Sequence, residues 1–191
     1  MINKVKKLFY YLFNKYSFGS LGFRSYIRGP ILICNKKNIF IGKSVNIQKN
    51  ARIEPITKWG NCKFNPMIKI SDKVSIEQGL HLTCANCIEI GKGTAITPYV
   101  VITDIKHDYK EIAKPILEQG IKAFPVKIGE NCFIGAGAKI MPGTTLGNHC
   151  IVATNAVVFG TFEDYSVIAG NPAKIIKKYD TDSNQWIRVT E

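Results

Sequence analysis

An aliphatic residue recurs at every sixth position of this chain, and this spacing constrains the fold more than any other feature. A period of six fits neither an amphipathic helix nor a single alternating strand. It fits a prism with three faces, each a short strand, whose stacked coils bury the aliphatic side chains. A small or thin residue follows four positions later, where the interior has little room. The clearest run has Ile128, Ile134, Ile140, Leu146, Val152 and Val158 at the aliphatic positions and Cys132, Ala138, Thr144, Cys150 and Ala156 at the small ones.

The same frame occurs three times earlier in the chain, over residues 41–53, 70–82 and 90–102. Tight turns must join one face of such a prism to the next. Asparagine tolerates the left-handed backbone conformation of such turns better than most residues. The turn residues predicted on this basis are Asn131, Asn148 and Asn155.

The six-residue repeat resembles the hexapeptide-repeat acyltransferases, and the resemblance covers residues 31–178. It implies an all-β fold, a left-handed parallel β-helix, with an extruded loop over residues 103–125. Residues 1–30 are predicted to form a basic amphipathic segment that contains a short N-terminal α-helix. A short C-terminal helix is expected at the end of the repeats, and residues 179–191 are expected to form a C-terminal tail.

The extruded loop carries the most informative single residue. The repeat stops after Ile102 and resumes near Val126, and long excursions from a regular solenoid tend to be functional. The interruption contains His107, and neutral imidazole is a suitable base for an acceptor that attacks a thioester. The segment 105–109 resembles the catalytic-histidine loop of sugar O-acetyltransferases of the maltose and galactoside type. This resemblance implies that His107 is the catalytic base.

A catalytic histidine needs a hydrogen-bond partner that fixes its tautomer. Glu77 follows an inward-facing position of a preceding coil and is the preferred candidate, while Asp104 and Asp108 lie close in sequence and remain alternatives. His81, on the coil before the loop, and Tyr109, within the loop, are candidates for contacting the acceptor. The acidic residues and His81 can also be interpreted as ordinary surface residues.

Two C-terminal segments, residues 133–143 and 168–178, resemble the acetyl-coenzyme A half of the same family. Pantetheine is a thin arm with amide groups, so it needs a groove of small side chains with available backbone groups. A backbone N–H in that groove could also stabilise the thioester oxyanion, and the phosphates need cations. Prism packing would also explain the small residues, and solvation would explain the lysines. The predicted donor-binding residues are Ala136, Gly137, Ala153 and Thr154 for the arm and Lys174 and Lys177 for the phosphates.

The net charge of +12 is concentrated at the N-terminal end. Residues 1–53 contain eleven Lys and Arg and no Asp or Glu, whereas the other 138 residues carry 15 basic and 14 acidic groups. Residues 2–16 are predicted to form a helix with one broad apolar face. That helix could lie on an anionic membrane surface, or pack on its own domain or a neighbouring subunit. No nucleic-acid module accompanies the basic segment, so nucleic acid is not an expected partner.

The location and metal content follow from what the sequence contains. No apolar stretch reaches the roughly 20 residues that span a bilayer, and no secretory signal is evident. A cytoplasmic protein with reduced cysteines is therefore expected, with the inner face of the membrane as an alternative site. The lone pair of Cys84 and Cys87 does not predict zinc. The three histidines lack the close spacing of carbonic-anhydrase-like members of this fold, so no metal is expected.

Together these features predict an acetyl-CoA-dependent acetyltransferase that modifies a saccharide hydroxyl by direct transfer. A surface polysaccharide, capsule or O-antigen is the expected type of acceptor, and the resemblance implies a homotrimer with active sites between subunits. The alternatives are an N-acyltransferase acting on an amino sugar, a metal-binding carbonic-anhydrase-like enzyme, and a non-catalytic trimeric scaffold. Coenzyme A binding and a His107→Ala variant would separate the enzyme from the scaffold.

Overall fold

A computed structural model describes residues 4–189 of the chain and shows a three-sided prism of stacked strands. One α-helix, α1 (Lys4–Asn14), precedes the strands, and two short 3-10 helices lie at Lys36–Asn38 and Ile116–Glu118. Most strands are short because the chain turns at every corner of the prism. In chain order the strands are β1 (Ser20–Leu21), β2 (Tyr26–Ile27), β3 (Leu32–Ile33), β4 (Ile39–Ile41), β5 (Asn46–Ile47), β6 (Arg52–Pro55), β7 (Lys58–Trp59), β8 (Cys62–Lys63), β9 (Met67–Ile70), β10 (Ser75–Ile76), β11 (His81–Cys84), β12 (Cys87–Ile90), β13 (Ala95–Ile96), β14 (Val101–Thr103), β15 (Ile105–His107), β16 (Ile121–Ala123), β17 (Val126–Ile128), β18 (Phe133–Ile134), β19 (Lys139–Ile140), β20 (Thr145–Leu146), β21 (Ile151–Val152), β22 (Val157–Val158), β23 (Thr161–Phe162), β24 (Ser166–Gly170), β25 (Ala173–Asp180) and β26 (Gln185–Arg188).

Successive strands pass from one face of the prism to the next, so neighbours in each sheet come from successive coils. Face A contains β1, β4, β9, β12, β17, β20 and β23, and face C contains β3, β6, β11, β14, β19 and β22. Face B contains β2, β5, β10, β13, β18, β21 and β24, followed by β25 and β26. Strands from successive coils pair in parallel on all three faces.

Aligned registers stack the aliphatic positions into three ladders inside the prism. Ile128 pairs with Leu146 on face A, and Ile102 pairs with Ile140 on face C. The aliphatic side chains of the C-terminal run are at most 1% exposed, and the small residues of that run are at most 2% exposed. Each fully buried aliphatic side chain contributes about 1.5–3 kcal/mol. The core predicted from the six-residue period is therefore confirmed.

All three predicted asparagines lie in turns. Asn131 and Asn155 have left-handed φ angles of 53° and 57°. In the third turn the left-handed residue is the neighbour of Asn148, His149, with φ 52°. Asn148 instead acts through its side chain, whose Oδ1 accepts the backbone N–H of Glu130 from the preceding coil at 2.8 Å.

Both ends of the prism differ from the sequence prediction. β1 and β2 pair in parallel with β4 and β5, so residues 20–30 belong to the first coil rather than to a separate segment. The predicted C-terminal helix is wrong. β25 returns antiparallel to β24, and β26 extends the same sheet into the expected tail. The physical reason is that β24 is the last parallel strand of face B, and its open edge offers backbone groups that a returning strand satisfies.

Two hairpins leave the prism and contact each other. β15 and β16 pair antiparallel within the extruded loop, with the connecting residues 108–120 beyond them. β7 and β8 form a shorter hairpin that the sequence analysis did not predict. The indole N–H of Trp59 on β7 donates to the backbone oxygen of Gln119 in the extruded loop at 3.2 Å. This contact braces the extruded loop against the body of the prism.

Candidate active site

β15 places His107 at the outer end of the β15–β16 ladder, opposite Ile121 on β16 and next to the connecting residues 108–120. The imidazole is half-buried and lies edge-on to the ring of Trp59, with 5.2 Å between ring centroids. Its Nδ1 atom is buried and has no hydrogen-bond partner within residues 4–189. Nε2 is therefore the nitrogen left to meet an acceptor. A buried Nδ1 without a partner is costly, so the site calls for a group that accepts the Nδ1 proton.

His107 lines a cavity of about 540 Å³ beside the corner where face C turns into face A. The hairpin supplies one wall and two successive coils supply the other. An apolar wall of this kind suits a reaction from which water must be excluded. The predicted acceptor residue Tyr109 lines the same cavity and is exposed. The apolar lining consists of Ile105, Phe124, Met141, Pro142 and Phe159.

Asp104 does not orient His107, because its carboxylate is turned into the prism and is fully buried. This carboxylate accepts hydrogen bonds from the turn between β11 and β12, in the preceding coil. Burial, reinforced by this carboxylate, raises the pKa of the Cys84 thiol, so the thiol stays protonated and donates. Asp104 therefore anchors the start of the hairpin. Its hydrogen-bond donors are the backbone N–H groups of Ala85 (2.7 Å), Asn86 (2.8 Å) and Cys87 (2.9 Å) and the thiol of Cys84 (3.3 Å).

The other predicted partners also lie apart from His107. Asp108 pairs with Lys122 across the hairpin, with 3.4 Å between the charged atoms. Glu77 is exposed at the corner between faces B and C, and His81 is exposed on the outer side of face C. Within the described part of one chain, no hydrogen bond, ion pair or ring contact joins these three side chains to His107. A single chain therefore leaves the base without an orienting partner.

Trp59 is the site residue that the sequence analysis missed. Its ring contacts His107, and its N–H holds Gln119, which is itself buried. The Gln119 side chain ties the tip of the loop together, because its Nε2 donates to the backbone oxygens of Glu111 (3.0 Å) and Lys114 (2.8 Å). The signal that could have indicated this brace is the break in the six-residue frame between β6 and β9.

The predicted arm-binding residues lie along one edge of the prism, the corner between faces B and C. Their backbones hydrogen-bond from coil to coil, so the corner presents a continuous column of small residues. The column ends at a groove of about 650 Å³ lined by Lys174, Lys177 and Arg188. We call this column the donor corner. It consists of Ala136 and Gly137, Ala153 and Thr154, and Ala169 and Gly170.

Face C separates the donor corner from the His107 cavity. Gly137 belongs to the corner and Met141 to the cavity, and four extended residues span roughly 13 Å. One chain therefore does not bring its own His107 into contact with its own donor corner. Glu77 lies on the same corner, two coils before Ala136. His107 and the donor corner consequently occupy opposite edges of one face.

The histidines are also dispersed. His149 lies in a turn and stacks on Tyr165 with 5.3 Å between ring centroids, whereas His81 lies on face C and His107 on the hairpin. In the portion of the chain that the structure describes, no three His, Cys, Asp or Glu side chains are grouped to hold a metal ion. The described residues therefore do not assemble the metal site of the carbonic-anhydrase-like alternative.

The prism of six-residue repeats defines a parallel β-helix, and His107 lies on the hairpin that extends from it. Residues 125–160 match the family described as "Bacterial transferase hexapeptide (six repeats)". The chain is 30% identical over 167 residues to "Putative lipopolysaccharide biosynthesis O-acetyl transferase WbbJ" of Escherichia coli K12, covering 84% of this chain and 82% of that protein. The chain therefore belongs to the hexapeptide-repeat acetyltransferases.

Further comparisons agree on the fold. A "Probable acetyltransferase" of Mycobacterium tuberculosis is 32% identical over 155 residues, covering 76% of this chain and 51% of that one. AntD, an N-acyltransferase from Bacillus cereus in complex with dTDP and 3-hydroxybutyryl-CoA, has a TM-score of 0.72 at 19% identity, covering 90% of this chain and 89% of that one. A hexapeptide-repeat acetyltransferase from Vibrio cholerae complexed with acetyl-CoA has a TM-score of 0.63 at 20% identity, covering 93% and 79%. The predicted left-handed β-helix is confirmed.

Proposed function

We propose that the protein transfers an acetyl group from acetyl-CoA to a hydroxyl group of a saccharide, with His107 as the general base. The observation that carries this proposal is the placement of His107, half-buried on a braced hairpin beside an apolar cavity. The similarity to WbbJ, whose name refers to lipopolysaccharide biosynthesis, supports a surface polysaccharide, capsule or O-antigen as the acceptor. Tyr109, which lines the cavity, is the residue proposed to contact the saccharide. His81 lies on the outer side of face C and does not line the cavity.

The chemistry follows from the buried Nδ1 of His107. Nε2 removes the hydroxyl proton while the acceptor oxygen attacks the carbonyl carbon of the thioester. Backbone N–H groups stabilise the oxyanion of the tetrahedral intermediate. The C–S bond then breaks, and the proton held on His107 passes to the departing thiolate. The acetyl group moves directly, so no covalent enzyme intermediate forms.

The donor is proposed to lie along the donor corner. The small residues of the corner leave room for the pantetheine arm, and the groove at its end carries cations for the phosphates. This assignment uses Ala136, Gly137, Ala153 and Thr154 for the arm. It uses Lys174 and Lys177 for the nucleotide end, and it adds Arg188, which the sequence analysis did not identify.

We infer a homotrimer with active sites between subunits, because one chain keeps its base and its donor corner on opposite edges of face C. A neighbouring prism that sets its donor corner against the His107 cavity would unite the base with the thioester. The same corner carries Glu77, so the neighbour would also bring a carboxylate to this edge of the site.

Thiol release from acetyl-CoA over a panel of sugars, amino sugars and nucleotide sugars tests the proposal. We expect release that depends on a hydroxyl acceptor, whereas acetylation of an amino group alone would favour N-transfer. A Lys174→Glu/Lys177→Glu variant should raise KM for acetyl-CoA with little change in kcat. Lys178→Glu is the matched control, because Lys178 lies on the same strand as Lys174 and Lys177 but pairs with Glu163 instead. Absence of both release and CoA binding by calorimetry would refute the proposal.

A further inference from the structure

Helix α1 is attached to the prism by one side and leaves its apolar side uncovered. Tyr10 and Tyr11 pack edge-on against Tyr26 and Phe23, with ring centroids 4.9 and 5.6 Å apart. Burial there, with a contribution from Tyr26, raises the pKa of Tyr10 to about 12. The opposite side of α1 is exposed, with Phe13 at 79%, and so is Tyr16, two residues beyond the end of the helix. This outer face consists of Val5, Leu8, Phe9, Leu12, Phe13 and Tyr16.

The outer face reverses the usual orientation of an amphipathic helix. The apolar stripe of such a helix normally faces the core. Here a side with two tyrosines faces the prism, and Phe9, Leu12 and Phe13 point away. These three side chains are 49–79% exposed. A contiguous exposed apolar surface of this kind marks an interaction site.

Positive charge surrounds the outer face. A groove of about 390 Å³ between α1 and the first coil is lined by Lys4, Lys7 and Arg24, and the Lys7 ammonium donates to the side-chain oxygen of Asn46. The same groove contains apolar side chains of the helix, so cations and hydrocarbon lie side by side. No Asp or Glu occurs before Glu54, and that carboxylate is paired with Arg52. The partner of this surface is therefore expected to be both apolar and anionic.

We infer that the outer face of α1 binds the anionic surface of a lipid bilayer. The helix lies in the plane of the membrane, with its phenylalanine and leucine side chains at the acyl boundary and its lysines at the phosphates. Its 11 residues extend about 16 Å, well short of the roughly 30 Å hydrocarbon core. Across residues 4–189, the structure contains no helix with the length and apolar character needed to cross a membrane.

The charge pattern favours a bilayer over a second copy of this chain. Two outer faces brought together would place two sets of lysines side by side with no carboxylates between them. A bilayer that contains anionic lipid supplies negative headgroups and an apolar interior next to each other. The inference is independent of the acyl-transfer proposal, because the outer face shares no residue with the His107 cavity or the donor corner.

Sedimentation of the full chain with lipid vesicles tests the inference. Vesicles of phosphatidylcholine and phosphatidylglycerol should bind the protein at low salt, phosphatidylcholine alone should bind it weakly, and high salt should release it. A Phe9→Ser/Phe13→Ser variant removes two stacked, exposed rings and should weaken binding at least about tenfold. Ile112→Ser/Leu117→Ser is the matched control, because these two apolar side chains are also exposed, at 100% and 74%, but lie on the extruded loop.

Two results would overturn the inference: no binding of the wild type to anionic vesicles at low salt, or undiminished binding of the Phe9/Phe13 variant. Light scattering identifies the alternative occupant. If the wild type does not bind vesicles and the variant forms smaller oligomers than the wild type, the outer face is a contact between subunits. Thiol release with a soluble acceptor should be unchanged in the variant. Failure of the membrane inference would thus leave the acyl-transfer proposal intact.

Discussion

Replacing Asp104 with asparagine isolates the anchor that holds the extruded hairpin to the prism. Asn has nearly the same volume as Asp, so the change leaves no cavity. It alters only the buried group that receives three backbone N–H bonds and one thiol bond from the turn between β11 and β12. The hairpin that carries His107 begins at the next residue, so the anchor and the base are mechanically linked.

The size of the effect follows from the bonds that asparagine can retain. Its carboxamide oxygen can replace Oδ2, which accepts from Asn86 and Cys87, but its NH₂ group then faces the N–H of Ala85. One buried donor left without an acceptor costs about 1–3 kcal/mol, and weakening two charge-assisted bonds costs about 1 kcal/mol each. The free energy of unfolding should therefore fall by about 3–5 kcal/mol. For a chain of this size, the melting temperature should drop by about 6–20 °C.

Thermal unfolding followed by circular dichroism measures this change, and amide hydrogen exchange locates it. Exchange should accelerate at Ala85, Asn86 and Cys87, and across the hairpin, before it accelerates in the rest of the prism. Asp108→Asn is the control, because Asp108 lies at the surface and should leave the melting temperature nearly unchanged. An Asp104→Asn variant that melts like the wild type, with protected amides in that turn, would refute the anchoring argument.

Three further predictions concern the brace, the coil stacking and the thiols. Trp59→Ala should lower kcat roughly 10-fold to 100-fold by loosening the hairpin, whereas Trp59→Phe should keep most activity; equal kcat in Trp59→Ala and wild type would contradict the brace. Gly135→Ala places a Cβ 2.6 Å from the backbone nitrogen of Thr154 and should destabilise the prism by about 1–3 kcal/mol, measured by urea denaturation. Iodoacetamide should label exposed Cys62 but spare Cys84, whose buried thiol has a raised pKa; mass spectrometry showing equal labelling would disprove this.

Much of the fold could be predicted from the sequence because the interior repeats. Each aliphatic position faces the same environment in every coil, so one period describes the whole core. The two ends of the prism were not predicted in this way. Before Leu32 the six-residue spacing continues at Leu21 and Ile27, but this stretch was assigned to the basic N-terminal segment. The residues after Gly170 form strands only because β24 offers an open edge. Asn148 shows the local limit, since its side chain can cap a turn while the neighbouring His149 takes the left-handed backbone.

The site was predictable where it interrupts the repeat and unpredictable where it depends on contacts distant in sequence. His107 stands out because the frame breaks around it. Asp104 continues the alternation of β14, with Ile102 inward and Thr103 outward, which places its carboxylate inside the prism. The sequence analysis considered Asp104 only as an alternative hydrogen-bond partner of His107. Trp59 reaches Gln119 across 60 residues, and no local pattern encodes such a contact.

The general-base role of His107 is the central claim, and the kcat of a His107→Asn variant tests it most directly. Asparagine keeps a polar side chain of similar reach but cannot accept a proton near neutral pH. With the best acceptor from the panel, we predict that kcat falls about 10²–10⁴-fold, while the Kd for acetyl-CoA, measured by calorimetry, is unchanged. A variant that retains wild-type kcat, or that loses activity only because it no longer binds acetyl-CoA, would contradict the account.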